Sequence, residues 1–199
     1  IMAAELVQTL NRVQEGRLRE LPCYGNLPAE LLQLRHVALS GDGEPTLCPN
    51  FAEAVQVVVH VRALGSFPFF KIVLITNTTG LDSPEVQYGM KFLTKRDEVW
   101  AKLDAGTQAY MDKVNKSKIP LAVILTNILT LARQRPVIIQ SLFPMLNGQE
   151  PPEEEIQQYA QRLVELKNGG AQISLVQIYS ATRPTPPSEC EHLPLKTLS

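Results

Sequence analysis

The chain has 199 residues, 44% of them hydrophobic and 20% charged, with a formal net charge of −1. That is ordinary globular composition with enough chain for one sizeable core. It gives no electrostatic signal for nucleic acid or an anionic membrane surface. The apolar runs all fall far short of the roughly 20 residues a membrane span needs, and no secretory signal pattern opens the chain.

Leu6, Leu10 and Val13 recur at helical spacing, and Gly16 sits where a C-terminal cap belongs. Because Ile1-Met2 already lies inside this helical pattern, the chain reads as a fragment of something longer. After a loop with Pro22 and Pro28, residues 36–40 read as a short buried strand broken by Gly, Asp and Pro. Asn50 and Glu53 form a capping-box pattern at the head of a helix whose buried face is Phe51, Val55, Val58 and Val61, with Gly65 as its stop. Residues 72–76 are the next strand, and Ser83-Pro84 starts a helix with proline where no amide is missed.

Residues 99–103 give a third strand, followed by helical stretches at 107–114 and 121–132. Residues 136–142 give a fourth. Glu153, Glu154 and Glu155 open a helix at its positive dipole end, read as a solvated start, with Ile156, Leu163 and Leu166 facing the core and Gly169-Gly170 ending it. Residues 173–179 are the fifth strand, before a Pro-rich tail. Strands recurring about every 27 to 38 residues with helices between them require crossover connections. The expectation is a parallel sheet with outer helices, in a single α/β domain over residues 1–199.

In parallel α/β folds, binding groups collect beyond the C-terminal strand ends. Here those ends carry Ser40 with Gly41 to Glu44, then Thr76-Asn77, Asp104, Gln140-Ser141, and Tyr179 to Arg183. Thr76, Ser141 and Ser180 also suit simple capping of the following element. The most informative stretch is Ser40-Gly41-Asp42-Gly43-Glu44-Pro45-Thr46-Leu47. Two glycines let the backbone turn sharply and approach a ligand closely, and Glu44 offers a carboxylate beside exposed peptide groups, a combination suited to a zwitterion. A plain tight turn explains the same two glycines. It is a poor dinucleotide fingerprint, because the third glycine position is Thr46 and Pro45 disturbs the helix start.

This stretch resembles the Gly-Gly-Glu-Pro element of the radical S-adenosylmethionine superfamily in its S-G-x-G-E-P-T-L form. Leu74-Ile75-Thr76-Asn77, Trp100-Ala101-Lys102-Leu103-Asp104-Ala105-Gly106, residues 136–143, and residues 176–179 through Arg183-Pro184 follow in the order that family has. The resemblance spans residues 34–194. It implies an incomplete (β/α)6, TIM-like partial barrel that binds S-adenosylmethionine. Gly41, Asp42, Gly43 and Glu44 would hold the methionine amino group, with Asn77, Lys102, Asp104, Gln140 and Arg183 lining the ribose and substrate side.

The family's chemistry runs through a [4Fe–4S] cluster held by C-x-x-x-C-x-x-C, and no such spacing is present. Cys23, Cys48 and Cys190 are too scattered to replace it and read as structural thiols, so no metal ligand is assigned. Three cysteines without pattern also argue against a disulfide framework and for a reducing, cytoplasmic setting. The resemblance places the first strand and cluster loop upstream of Ile1. With that segment and an external electron donor, the complete enzyme would cleave S-adenosylmethionine to a 5′-deoxyadenosyl radical, the cofactor carrying the chemistry. Catalytic residues and substrate are not legible.

Rival readings are a non-catalytic α/β domain acting in binding or partner interaction, and a phosphate-binding barrel enzyme. The Pro-rich stretch after Tyr179 disfavours the second. His36, His60 and His192 are scattered, Trp100 reads as packing, and no Gly-x-Ser-x-Gly elbow supports a hydrolase.

Overall fold

Alternating β-branched runs and amphipathic segments produce six α-helices and seven strands among the residues described in the computed structural model, 2–115, 119–181, 190–194 and 196. In chain order these are α1 (Met2–Gln14), β1 (His36–Leu39), α2 (Phe51–Ala63), β2 (Lys71–Thr76), α3 (Pro84–Met90), β3 (Glu98–Lys102) and α4 (Gln108–Asn115). Then come α5 (Leu121–Gln134), β4 (Val137–Leu142), β5 (Met145–Leu146), α6 (Glu153–Asn168), β6 (Ile173–Tyr179) and β7 (Cys190–Glu191). A five-stranded parallel sheet has the order β1-β2-β3-β4-β6, and β5 and β7 form a small antiparallel pair. The expected parallel sheet is therefore present. It ends at β1 and β6, and no closure into a barrel is seen among the described residues.

Packing divides the chain into two compact units, Ile1–Leu74 with Ser83–Glu98, and Ile75–Asp82 with Val99–Ser199. In the first, β1 and β2 pair in register from His36↔Lys71 to Leu39↔Leu74. Phe51, Val55, Val58 and Val61 are buried along α2 as its spacing requires. The Asn50 side chain makes no capping hydrogen bond, contrary to the capping-box expectation. The Ala52 amide in that first turn instead donates to Glu85 Oε1 on α3, at 3.3 Å. The two helices approach closely at Gly89, where a Cβ would lie 2.8 Å from the Phe51 ring.

Asp97 anchors the far end of this unit. Its carboxylate accepts from the Arg62 guanidinium, from the Ile72 amide at 2.8 Å, and from the Thr94 amide and hydroxyl at 2.7 and 2.9 Å. One buried side chain thus ties α2, β2 and the turn before β3.

In the second unit, register sets which side chains share a face. Ala101 pairs with Ile139, and Ser141 bonds Tyr159 of α6 through its hydroxyl at 2.6 Å, so Val99, Ala101, Ile139 and Ser141 face the helical layer. Trp100, Lys102, Ile138, Gln140 and Leu142 face the other way. Register extends that face to Leu175, Gln177 and Tyr179 on β6.

On α6 the solvated-start reading is corrected. Glu155 is buried, and its carboxylate accepts from the Gly106 amide, the Thr107 amide at 3.2 Å and the Thr107 hydroxyl at 2.6 Å. Ile156, expected inside, is 42% exposed. Capping the start of α4 from α6 turns the acidic residue inward, because free amides at a helix start demand an acceptor.

Candidate functional site

Side chains expected to form the site fall in both units. In the first, the loop after β1 carries Gly41, Asp42 and Gly43, all exposed, and the half-buried Glu44. Glu44 Oε1 accepts from the Thr46 amide at 3.1 Å and the Thr46 hydroxyl at 2.6 Å, which fixes the carboxylate over the 3-10 turn Pro45–Leu47. Neither Gly41 nor Gly43 has a positive φ, and a Cβ on either would meet no protein atom within 4 Å. The sharp turn expected of these glycines is not a steric need of the chain itself. Their open side is free for another molecule to approach.

In the second unit, a cleft of about 260 Å³ opens at the C-terminal ends of β2 and β3. Its polar wall is Asn77, Thr79, Lys102, Asp104 and Asn115, and its apolar wall is Leu103, Met111, Leu121 and Ile124. Of the expected residues, Asn77, Lys102 and Asp104 are brought together here. Gln140 lies in the next strand, in register with Lys102, and its amide donates to Gln177 Oε1 at 3.4 Å rather than lining the cleft. Arg183 lies outside the described residues. Thr76, Ser141 and Ser180 serve the structure. Thr76 accepts from the Thr78 amide, Ser141 bonds Tyr159, and Ser180 accepts from the Leu193 amide.

Asp104 is the centre of the cleft's electrostatics. Its side chain is almost wholly buried and accepts from the Leu142 amide at 2.8 Å and from Asn115 at 3.2 Å, with the Lys102 ammonium 3.6 Å away. Burial pushes this carboxyl above its ordinary range, against the opposing pull of Lys102, the Leu142 amide and Asn115. Burial alone would lower Lys102, but the Asp104 charge and a hydrogen bond with Tyr179 raise it, so the ammonium stays charged. The lysine side chain keeps part of its hydration, being 31% exposed against 2% for Asp104. With Lys102 already protonated, Asp104 is the member of the pair that takes up a proton as pH falls from neutral. Tyr179 is itself raised, chiefly by burial.

Close by, the buried Tyr110 hydroxyl has no hydrogen-bond partner among the described residues. Burial, with Glu155, Cys190 and Asp104 adding to it, pushes that hydroxyl up to about 12.

This set can hold a small polar ligand with an apolar body. Lys102 offers a cation, Asn77 and Asn115 offer amides, Asp104 offers a hydrogen-bonding carboxyl, and the helices offer a hydrocarbon wall. The volume sits just below the roughly 300–1,000 Å³ common for ligand pockets. Asn115, Met111, Leu121 and Ile124 escaped the sequence reading because they lie on helices, where periodicity reports burial but not which neighbour is met.

An iron–sulfur cluster does not fit these residues. Cys23 and Cys48 are exposed in the first unit, Cys190 is half-buried in the second, and among the described residues no group of three His, Cys, Asp or Glu side chains suits a metal. No described helix is long and apolar enough to cross a membrane. No protein family, no curated protein and no solved structure matches this chain.

Proposed function

We propose that this chain is the S-adenosylmethionine-binding part of a radical enzyme, built as a partial (β/α)6 barrel. The observation that carries the reading is the meeting of Asn77, Lys102 and Asp104 in one cleft at parallel strand ends, in a chain that also bears the Ser40–Leu47 element after β1. By the family resemblance, Glu44 with Gly41, Asp42 and Gly43 takes the methionine ammonium, while Asn77, Lys102 and Asp104 serve the ribose and substrate side.

These residues bind and orient. The cluster's electron transfer is not assigned to any of them, because the cysteines present cannot ligate it. Residues of the cleft supply a charged, partly dry environment, and its apolar wall keeps water from the ligand's body.

Calorimetric titration of the chain with S-adenosylmethionine is the first test. Saturable binding, weakened tenfold or more by Lys102→Met and by Glu44→Ala, is expected; no binding would remove the reading. Loading with iron and sulfide in the presence of a segment bearing a C-x-x-x-C-x-x-C loop then tests cleavage of S-adenosylmethionine. The alternative is a non-catalytic binding domain. It predicts binding without cleavage under those loaded conditions.

A further inference from the structure

Between the cleft residues Asn77 and Thr79 stands Thr78, with φ of 70°. That left-handed region is disfavoured for any L side chain and most of all for a β-branched one. Thr78 is also fully buried, and its hydroxyl has no hydrogen-bond partner among the described residues. The chain thus holds a conformation unfavourable on two counts at a point flanked by cleft-lining residues. Strain of this kind persists only where surrounding contacts over-determine it.

Those contacts can be named. The Thr78 amide donates to Thr76 Oγ1 at 2.9 Å, and the Thr78 carbonyl accepts from Asn127 Nδ2 at 2.9 Å. Asn77 Oδ1 accepts from both the Thr79 amide, at 3.0 Å, and the Thr79 hydroxyl, at 2.7 Å. Of these, the Asn127 bond comes from outside the turn. Asn127 is a buried amide on the same face of α5 as Ile124, Ile128 and Leu131, where an apolar side chain would suit the pattern better. The same helix supplies Leu121 and Ile124 to the cleft's apolar wall.

The geometry points to Asn127 as a positioning residue for the cleft. Its hydrogen bond to the Thr78 carbonyl holds the left-handed turn that carries Asn77 and Thr79 to the same cavity as the α5 side chains. Without it, residue 78 relaxes to a negative φ and the polar wall is displaced. The inference rests on the proposed S-adenosylmethionine reading for its affinity probe, but not for its conformational one.

The experiment combines Asn127→Leu, which keeps size and removes the donor, with Thr78→Gly, which tolerates positive φ without help. S-adenosylmethionine affinity is measured by calorimetry for the four combinations, and backbone NMR reports the sign of φ at residue 78. Asn127→Leu is expected to weaken binding tenfold or more and to abolish the positive φ. The double variant is expected to return within about threefold of Thr78→Gly alone and to regain the positive φ. Unchanged affinity in Asn127→Leu, or no recovery in the double variant, overturns the inference.

If the unaltered chain binds no S-adenosylmethionine, the functional reading falls and the φ measurement alone decides. Loss in Asn127→Leu with recovery in the double variant supports the inference, and a retained positive φ overturns it. Should Asn127→Leu fail to fold, Asn127→Ser, too short to reach the carbonyl, is judged by the same outcomes.

Discussion

Replacing Asp97 by Asn tests the anchor on which the first unit depends. Oδ1 of Asp97 serves the Ile72 amide and one Arg62 nitrogen, while Oδ2 serves the other Arg62 nitrogen and the amide and hydroxyl of Thr94. An asparagine has one acceptor oxygen, so its NH₂ group must face one of these donor sets. Either orientation leaves a buried backbone N–H and a guanidinium N–H without an acceptor. The Arg62 side chain is only 10% exposed and Asp97 wholly buried, so water offers little relief.

An orphaned buried donor costs about 1–3 kcal/mol, and breaking a buried ion pair from one side costs about 3–5 kcal/mol. These overlap, so a loss of about 3–5 kcal/mol is expected, a large fraction of the roughly 5–15 kcal/mol that holds a typical domain.

The pH dependence adds a second readout. Burial by itself pushes Asp97 up, but Arg62 and the Ile72 and Thr94 donors outweigh it and hold the carboxyl below its usual range. A carboxyl depressed in the folded state stabilises fully above its unfolded value of about 3.9, and that contribution is lost as pH falls through the folded value. Urea unfolding of both proteins from pH 7 down to pH 2–3 should show a gap that is widest at neutral pH and narrows in acid. A gap under about 1 kcal/mol at pH 7, or one that stays constant into acid, would refute the reasoning.

Asp104 should behave in the opposite sense. Its folded-state value is raised by burial, so its contribution is fully present below about pH 4 and is lost as pH rises through the folded value. Asp104→Asn keeps an acceptor for the Leu142 amide and removes this loss. Urea unfolding should show the variant gaining on the native chain between acid and neutral pH, while S-adenosylmethionine affinity falls as Lys102 loses its partner. Gly106→Ala should be among the most damaging single changes, because the new Cβ would press on the α6 backbone, 2.6 Å from Tyr159 Cα. A loss of about 3 kcal/mol, the upper end of overpacking costs, is expected in thermal or urea unfolding, and a native-like midpoint would contradict the packing described.

Strand and helix alternation was legible because it is local. The buried valines of α2, the proline start of α3 and the glycine at position 65, with φ of 68°, stand where period and turn chemistry place them. Two residues of the cleft, Asn77 and Asp104, were legible for a related reason, whereas Lys102 came from the family resemblance alone. A parallel strand delivers whatever follows it to one edge of the sheet, so position along the chain already states position in space. Gln140 shows the limit of that rule. It shares the face and the register row of Lys102, yet its amide is engaged by Gln177, and the cleft lies beside the preceding strands.

By itself, the sequence determined the order of the five sheet strands and the helices between them, the parallel pairing that long crossovers demand, and the strand ends at which polar groups gather. Only the tertiary structure decided that Glu155 turns inward to the Gly106 and Thr107 amides, that Asp97 reaches Arg62 and Ile72, and that Asn127 clasps Thr78. Each of these is a polar contact between residues far apart in the chain. Local periodicity records whether a position is covered, but the identity of the covering atom depends on how separate elements meet.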